Sequence, residues 1–219
     1  TARPDNKSFL SVGRFSKNHK GFDLLIEAFA LFAKRNMQWH LVIVGEGPED
    51  SWYRSLIAKN GLEDRVRIEP FTNDVNSYYV QAGVYVLASR WEGMPLVLME
   101  AMAHGLPVIA SNLPIVEELL GESRAAVLFE NGNIAELAER MVGMATSTDL
   151  AERGRIAMEY AREFSINNII KDKEKAEDIA QETFIYVLQH PKRDGYSFKY
   201  YIYLVAKSRA INYINTEKN

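Results

Sequence analysis

Two glutamates eight positions apart, Glu92 and Glu100, stand in the stretch SRWEGMPLVLMEAMAHGLPVIAS, residues 89–111. Glu100 follows Leu96, Val97, Leu98 and Met99 and precedes Ala101 and Met102. A carboxylate in such company is costly unless something satisfies it, so the spacing asks for a partner rich in hydroxyls or cations. Pro95 suits the first turn of a helix and Gly105 its end. Gly93 lets a ligand approach the backbone, and the N–H groups from Met94 through Leu96 to Val97 would form an anion-binding helix start. Glu92, just outside that helix, can accept hydrogen bonds from sugar hydroxyls, and Glu100, more than a turn inside, from the two hydroxyls of a ribose.

The opposite charges come from SVGRFSKNHKGFDLLIEAF, where Gly13-Arg14 follows an apolar run and Lys20 opens a helical segment. Two cations over one site can neutralise a diphosphate as a bond to it breaks, which stabilises the leaving group. Either side chain could equally be a solvated surface charge. Gly45-Glu46-Gly47 is a tight turn that suits a base or ribose near the main chain, or serves only to join a strand to a helix. His104 reads as a cation near a helix end and His19 as solvent-facing.

These residues need a scaffold. SFLSV, WHLVIVG, RVRIEPF, VYVLAS, PVIAS and AAVLF read as short buried strands, with helix-period segments between them. The alternation predicts an α/β fold, a Rossmann-like parallel sheet with helices on both faces. Ligands of such sheets sit at the carboxyl ends of the strands, and Arg14, Gly45, Glu46, Gly47, Ser89 and Glu92 all fall just after predicted strands.

From Lys171 the character changes. Two helical stretches, about 172–189 and 197–214, are separated by HPKRDGY, and the tail holds 8 of the chain's 24 aromatic residues. Nine basic and seven acidic residues give it +2, which leaves −5 for residues 1–170 out of the total of −3. The expected organisation is a ligand-binding domain over 1–170 and an all-α helical hairpin over 171–219.

Composition narrows the chemistry. There is no cysteine among the 219 residues, which removes disulfides, thiolate metal sites and cysteine nucleophiles. A net charge of −3 gives no general case for nucleic-acid or membrane binding. No apolar run approaches the roughly 20 residues of a bilayer span, and TARPDNKSFL lacks a signal-peptide centre. The default location is the cytoplasm.

With four motifs in order, VGR then KGFDLLIEAF, LVIVGEGP, and YYVQAGVYVLASRWEGMPLVLMEAMAHGLPVIAS, residues 8–165 resemble the C-terminal, donor-binding half of family 4 retaining glycosyltransferases of GT-B fold. The resemblance implies that Arg14 and Lys20 bind the donor diphosphate, Glu92 the transferred sugar and Glu100 the ribose. Gly13, Gly45, Glu46, Gly47, Ser89, Gly93, Met94 and Leu96 would line the donor site. One departure is that the family often has Gly-Phe-Gly after the first glutamate, where this chain has Gly-Met-Pro. The substrate implied is a nucleotide-diphosphate sugar, with no cofactor and no metal: no Asp-x-Asp pair occurs anywhere. Because the sequence starts at once with the donor half, the expectation is a chain that binds donor and transfers little alone, its acceptor domain missing.

KAEDIAQETFIYVLQHPKRDGYSFKYYIYLVAKSRAINYINTEK resembles part of region 2 of extracytoplasmic-function sigma factors. By that resemblance Asp178, Gln181 and Glu182 would face RNA polymerase, and Tyr200, Tyr201, Lys207 and Arg209 promoter DNA. Two truncated families in one chain suggest a recombined or engineered chimera. Three readings follow: a donor-binding domain, a transcription module, and a chimera without intended activity. An uncovered apolar hairpin would favour a homodimer or a helix swap between copies.

Overall fold

The computed structural model describes residues 6–36, 38–72, 74–93, 95–120 and 123–163, and beyond these 178, 181–183, 185, 186 and 206. Two compact units divide the chain, Thr1–Ala161 and Arg162–Asn219.

In the first unit six strands form one sheet. They are β1 (Ser8–Val12), β2 (His40–Val44), β3 (Val66–Glu69), β4 (Val84–Leu87), β5 (Val108–Ser111) and β6 (Ala126–Phe129). Their order is β3-β2-β1-β4-β5-β6, and every pairing is parallel. All six coincide with the predicted apolar runs. The helices are α1 (Phe22–Ala33), α2 (Asp50–Lys59), α3 (Asn76–Gln81), α4 (Leu96–Ala103), α5 (Pro114–Leu120), α6 (Ile134–Thr146) and α7 (Leu150–Glu163).

Side-chain alternation sorts the helices between two faces. Phe9, Leu41, Ile43, Val84, Val86 and Ile109 form one core with α1, α2 and α6. Leu10, Val42, Tyr85, Val108 and Ala110 are buried on the other face, with Tyr79 of α3, Leu98 and Met102 of α4 and Val116 of α5. The first core is aromatic: Phe9 stacks on Trp39 at 4.6 Å and meets Phe32 edge-on at 5.2 Å. Such pairs contribute about 0.5–1.5 kcal/mol each beyond the area they bury. The predicted fold is therefore the observed one.

The strand order reverses between β1 and β4, and in such sheets the crevice that takes the ligand lies at the carboxyl ends of the strands at that switch point. The β1–α1 loop forms one side of it and the β4–α4 loop the other.

In the second unit Asp178, Gln181 and Glu182 are helical and exposed, and Thr183 is buried. Ile185, Tyr186 and Ala206 are helical as well, and the rest of the predicted hairpin helices lies outside the described residues, as do Tyr200, Tyr201, Lys207 and Arg209.

Candidate functional site

The β1–α1 loop is fixed from below by aromatic packing. Phe15 is fully buried and meets Phe22 and Tyr53 edge-on, both at 5.5 Å. Burying such a ring contributes about 1.5–3 kcal/mol. From the side, Gly13 N–H donates to the Val44 carbonyl at 3.0 Å and Phe15 N–H to that of Glu46 at 2.8 Å. This contact explains the glycines of the turn after β2. A Cβ on Gly45 would lie 1.9 Å from the Gly13 carbonyl oxygen, and one on Gly47 would lie 2.3 Å from that of Phe15. The chain's own backbone, not a ligand, occupies the space these glycines leave, while Glu46 between them is exposed.

At the end of the loop Gly21 begins α1 at φ 60°, in the left-handed region. A Cβ there would lie 2.0 Å from the Ala88 carbonyl oxygen, so glycine is needed for both conformation and contact. The loop is thus laid directly against the end of β4.

That docking creates the central pair. Lys20 Nζ donates to Glu92 Oε1 at 2.7 Å, and Ser89 Oγ donates to the same oxygen at 2.5 Å. The Glu92 side chain is only 7% exposed and that of Lys20 22%, so the pair is largely shielded from water. Gly13 makes room for it: a Cβ there would sit 3.3 Å from Cδ and Cε of Lys20.

Glu100 corrects the sequence reading. Helix α4 turns Leu98, Ala101 and Met102 to the core and leaves Glu100 exposed. The carboxylate buried among neighbours is that of Glu92, in the loop. Glu100 Oε2 accepts a hydrogen bond from Tyr79 Oη at 3.1 Å, and the His104 ring stacks on Tyr79 at 5.0 Å. Pro95 is the residue before α4 rather than within its first turn. Gly93 has open space at its Cβ position apart from the edge of the Trp91 ring, 3.5 Å away. Leu96 opens α4, and Met94 lies outside the described residues.

Tyr85 is fully buried on β4. Burial pushes its phenol well above the ordinary value, and the charges of both Glu92 and Glu100 add to the effect. Tyr79 is raised for similar reasons, burial first and then Glu100.

Arg14 is exposed, and among the described residues it forms no ion pair. The structure therefore joins Lys20, Ser89 and Glu92 directly, whereas Arg14 and Glu100 sit outside that hydrogen-bonded group.

Sequence reading missed two features. Arg90 forms a bidentate pair with Asp23, at 2.8 and 2.6 Å, and ties the loop to β4. Both lie within motif segments already singled out, and their opposite charges were the available signal. Tyr79 had none, because its hydroxyl meets Glu100 only through the packing of α3 beside α4.

Residues 1–164 match the model of the family Glycosyl transferases group 1, and residues 149–219 that of Sigma-70 region 2. An uncharacterised glycosyltransferase of Haemophilus influenzae is 36% identical over 176 residues, which cover 78% of this chain and 49% of that protein. A GDP-mannose:cellobiosyl-diphosphopolyprenol alpha-mannosyltransferase of Xanthomonas oryzae pv. oryzae is 31% identical, over 77% of this chain and 46% of that one. Among solved structures, S. aureus TarM in a complex that includes UDP superposes with a TM-score of 0.69 at 26% identity, over 82% of this chain and 35% of that one. The catalytic domain of cholesterol-alpha-glucosyltransferase from Helicobacter pylori gives 0.60 at 25% identity, over 72% of this chain and 96% of that one. The chain spans about half the length of the curated relatives it matches. Sheet order and family match agree, and the chain belongs to the group 1 glycosyltransferases.

Proposed function

We propose that residues 1–170 bind a nucleotide-diphosphate sugar as the donor of a retaining, metal-independent glycosyl transfer. The observation that carries this reading is the Lys20–Glu92 pair, a shielded cation and carboxylate at the sheet's switch point. The UDP held by the TarM structure supports a nucleoside diphosphate as the ligand class. In this reading Lys20 and Arg14 take the diphosphate, Glu92 accepts from sugar hydroxyls and Glu100 from the ribose. Gly13, Ser89, Gly93 and Leu96 border the donor, and the N–H groups of Leu96 and Val97 that open α4 face its negative charge.

Transfer breaks the bond between the sugar's anomeric carbon and the diphosphate oxygen, and negative charge grows on the leaving group. A cation held in a shielded site stabilises that charge better than one in water. Lys20 is placed for this role once it exchanges the Glu92 carboxylate for phosphate. Relatives about twice as long imply that acceptor-binding residues come from another segment, so residues 1–219 alone are expected to bind donor with little transfer. A thermal-shift screen with UDP, GDP and ADP sugars tests the reading. One of them should raise the melting temperature, and Lys20→Met should abolish the rise; no shift with any of them would sink it.

The match to Sigma-70 region 2 supports a second reading for residues 171–219: a sigma-like module that binds RNA polymerase or promoter DNA. Asp178, Gln181 and Glu182, exposed on helix, are then the candidate polymerase contacts. Retention of core RNA polymerase by the immobilised chain, lost on replacing Asp178 and Gln181, would favour it over the donor reading alone.

A further inference from the structure

Phe15 anchors the start of the loop that carries Lys20, whereas residues 16–20 beyond it make few hydrogen bonds of their own. Within it, the Ser16 carbonyl accepts from His19 N–H and Lys20 N–H, both at 3.2 Å, and Ser16 Oγ lies 3.0 Å from His19 Nδ1. The following helix begins at Gly21 without a side-chain cap. Apart from the bond of Lys20 to Glu92, the hydrogen bonds that reach residues 16–20 from other described parts of the chain come from one residue, Arg90. Arg90 N–H donates to the His19 carbonyl at 2.7 Å, and Arg90 Nη1 donates to the Lys17 carbonyl at 3.0 Å. The same guanidinium grips Asp23, in the first turn of α1, with both terminal nitrogens. A bidentate guanidinium–carboxylate pair fixes orientation as well as distance. Arg90 is itself fixed from behind, since Asn131 Nδ2 donates to its carbonyl at 3.0 Å.

Arg90 stands two residues before Glu92 and one after Ser89, so a single short segment holds the carboxylate and the loop that brings its cation. Its charge is already matched by Asp23, with side-chain exposures of 32% and 14%. This distinguishes it from Arg14, which has no such partner among the described residues. We infer that Arg90 is a positioning residue, which does not touch the donor but sets Lys20 against the diphosphate by strapping residues 17–23 to the end of β4. The inference rests on the donor reading above. It adds that the diphosphate affinity contributed by Lys20 depends on a cation that never meets the ligand.

The test is a double-mutant cycle on the full chain, with UDP, GDP and ADP titrated calorimetrically. Arg90→Gln should weaken the nucleotide that binds by roughly tenfold in the otherwise unchanged chain, and by less than about twofold when Lys20→Met is already present. A general structural role would weaken both backgrounds equally, and that result, or no loss in either, overturns the inference. Because Arg90→Gln leaves Asp23 unpaired, Arg90→Gln with Asp23→Asn serves as the second variant. It should melt cooperatively and show the same dependence on Lys20. If the unaltered chain binds none of the three nucleotides, the donor reading fails by itself. Amide exchange then decides the strap: faster exchange at residues 17–20 in Arg90→Gln, with β1 amides unchanged, upholds it, and unchanged exchange in the loop overturns it.

Discussion

The ammonium of Lys20 lies 2.7 Å from the carboxylate of Glu92, a residue 72 positions further along the chain. Each group occupies the other's binding capacity. In the proposed donor site a diphosphate would compete with Glu92 for the cation, and a sugar hydroxyl with Lys20 for the carboxylate. Ser89 Oγ, bound to Glu92 Oε1, would keep the carboxylate from being left bare in that exchange.

Removing the competitor should therefore strengthen binding of the diphosphate alone. Glu92→Gln is expected to bind a nucleoside diphosphate roughly three- to tenfold more tightly, with no gain for the nucleotide sugar. Calorimetric titration of both ligands checks this, and weaker binding of the free diphosphate would contradict it. The reverse change, Lys20→Met, leaves a carboxylate that is 7% exposed with one hydroxyl donor. Urea denaturation should show a loss of about 1–3 kcal/mol.

Glu100 should behave differently. It is exposed, and among the described residues its carboxylate is bound only to the Tyr79 hydroxyl, so Glu100→Ala should change stability by less than about 1 kcal/mol. The rise in melting temperature given by a bound nucleotide should disappear. A folded variant that keeps the whole rise would remove Glu100 from the site.

Tyr79 makes the fold sensitive to alkali. Burial and Glu100 hold its phenol above the ordinary value of 10.0 in the folded state. A raised folded value means that the contribution is complete below the unfolded value and is lost as pH climbs past it. Urea midpoints should hold steady below about pH 9 and fall above about pH 10. Tyr79→Phe should make that fall shallower, and an unchanged slope would count against it.

Two glycine replacements should have opposite signs. Gly45→Ala drives a methyl group to within 1.9 Å of a backbone oxygen and is expected to cost more than about 2 kcal/mol. Gly143 lies inside α6 with nothing within 4 Å of its Cβ position. Gly143→Ala should stabilise by about 0.5–1 kcal/mol, because alanine has less backbone entropy to lose in a helix. Thermal melts of the two variants decide both.

The strands were readable because each is a short apolar run between polar or glycine-rich breaks, and a doubly covered parallel sheet demands that pattern. The burial of Glu100 was misread for a related reason. Eight residues of mixed apolar character look uniform in sequence, and only the helical period shows that Leu98, Ala101 and Met102 take the core side. Gly45 and Gly47 were legible as a turn, but their cause was not, since it lies in the carbonyls of Gly13 and Phe15 on another strand's loop. The same limit hid the Arg90–Asp23 strap. Contacts between residues far apart in the chain leave no local periodicity to read.

The separation between Lys20 and Glu92 also sets an order of events during synthesis. When Lys20 leaves the ribosome, the carboxylate that will hold it has 72 residues still to wait, on the order of 4–15 s at ordinary translation speeds. Through that interval β1 and β2 can pair, while β1 still lacks its other neighbour, β4. The nascent chain thus carries an uncovered strand edge beside an unmatched ammonium, and the crevice is among the later parts of the sheet to close.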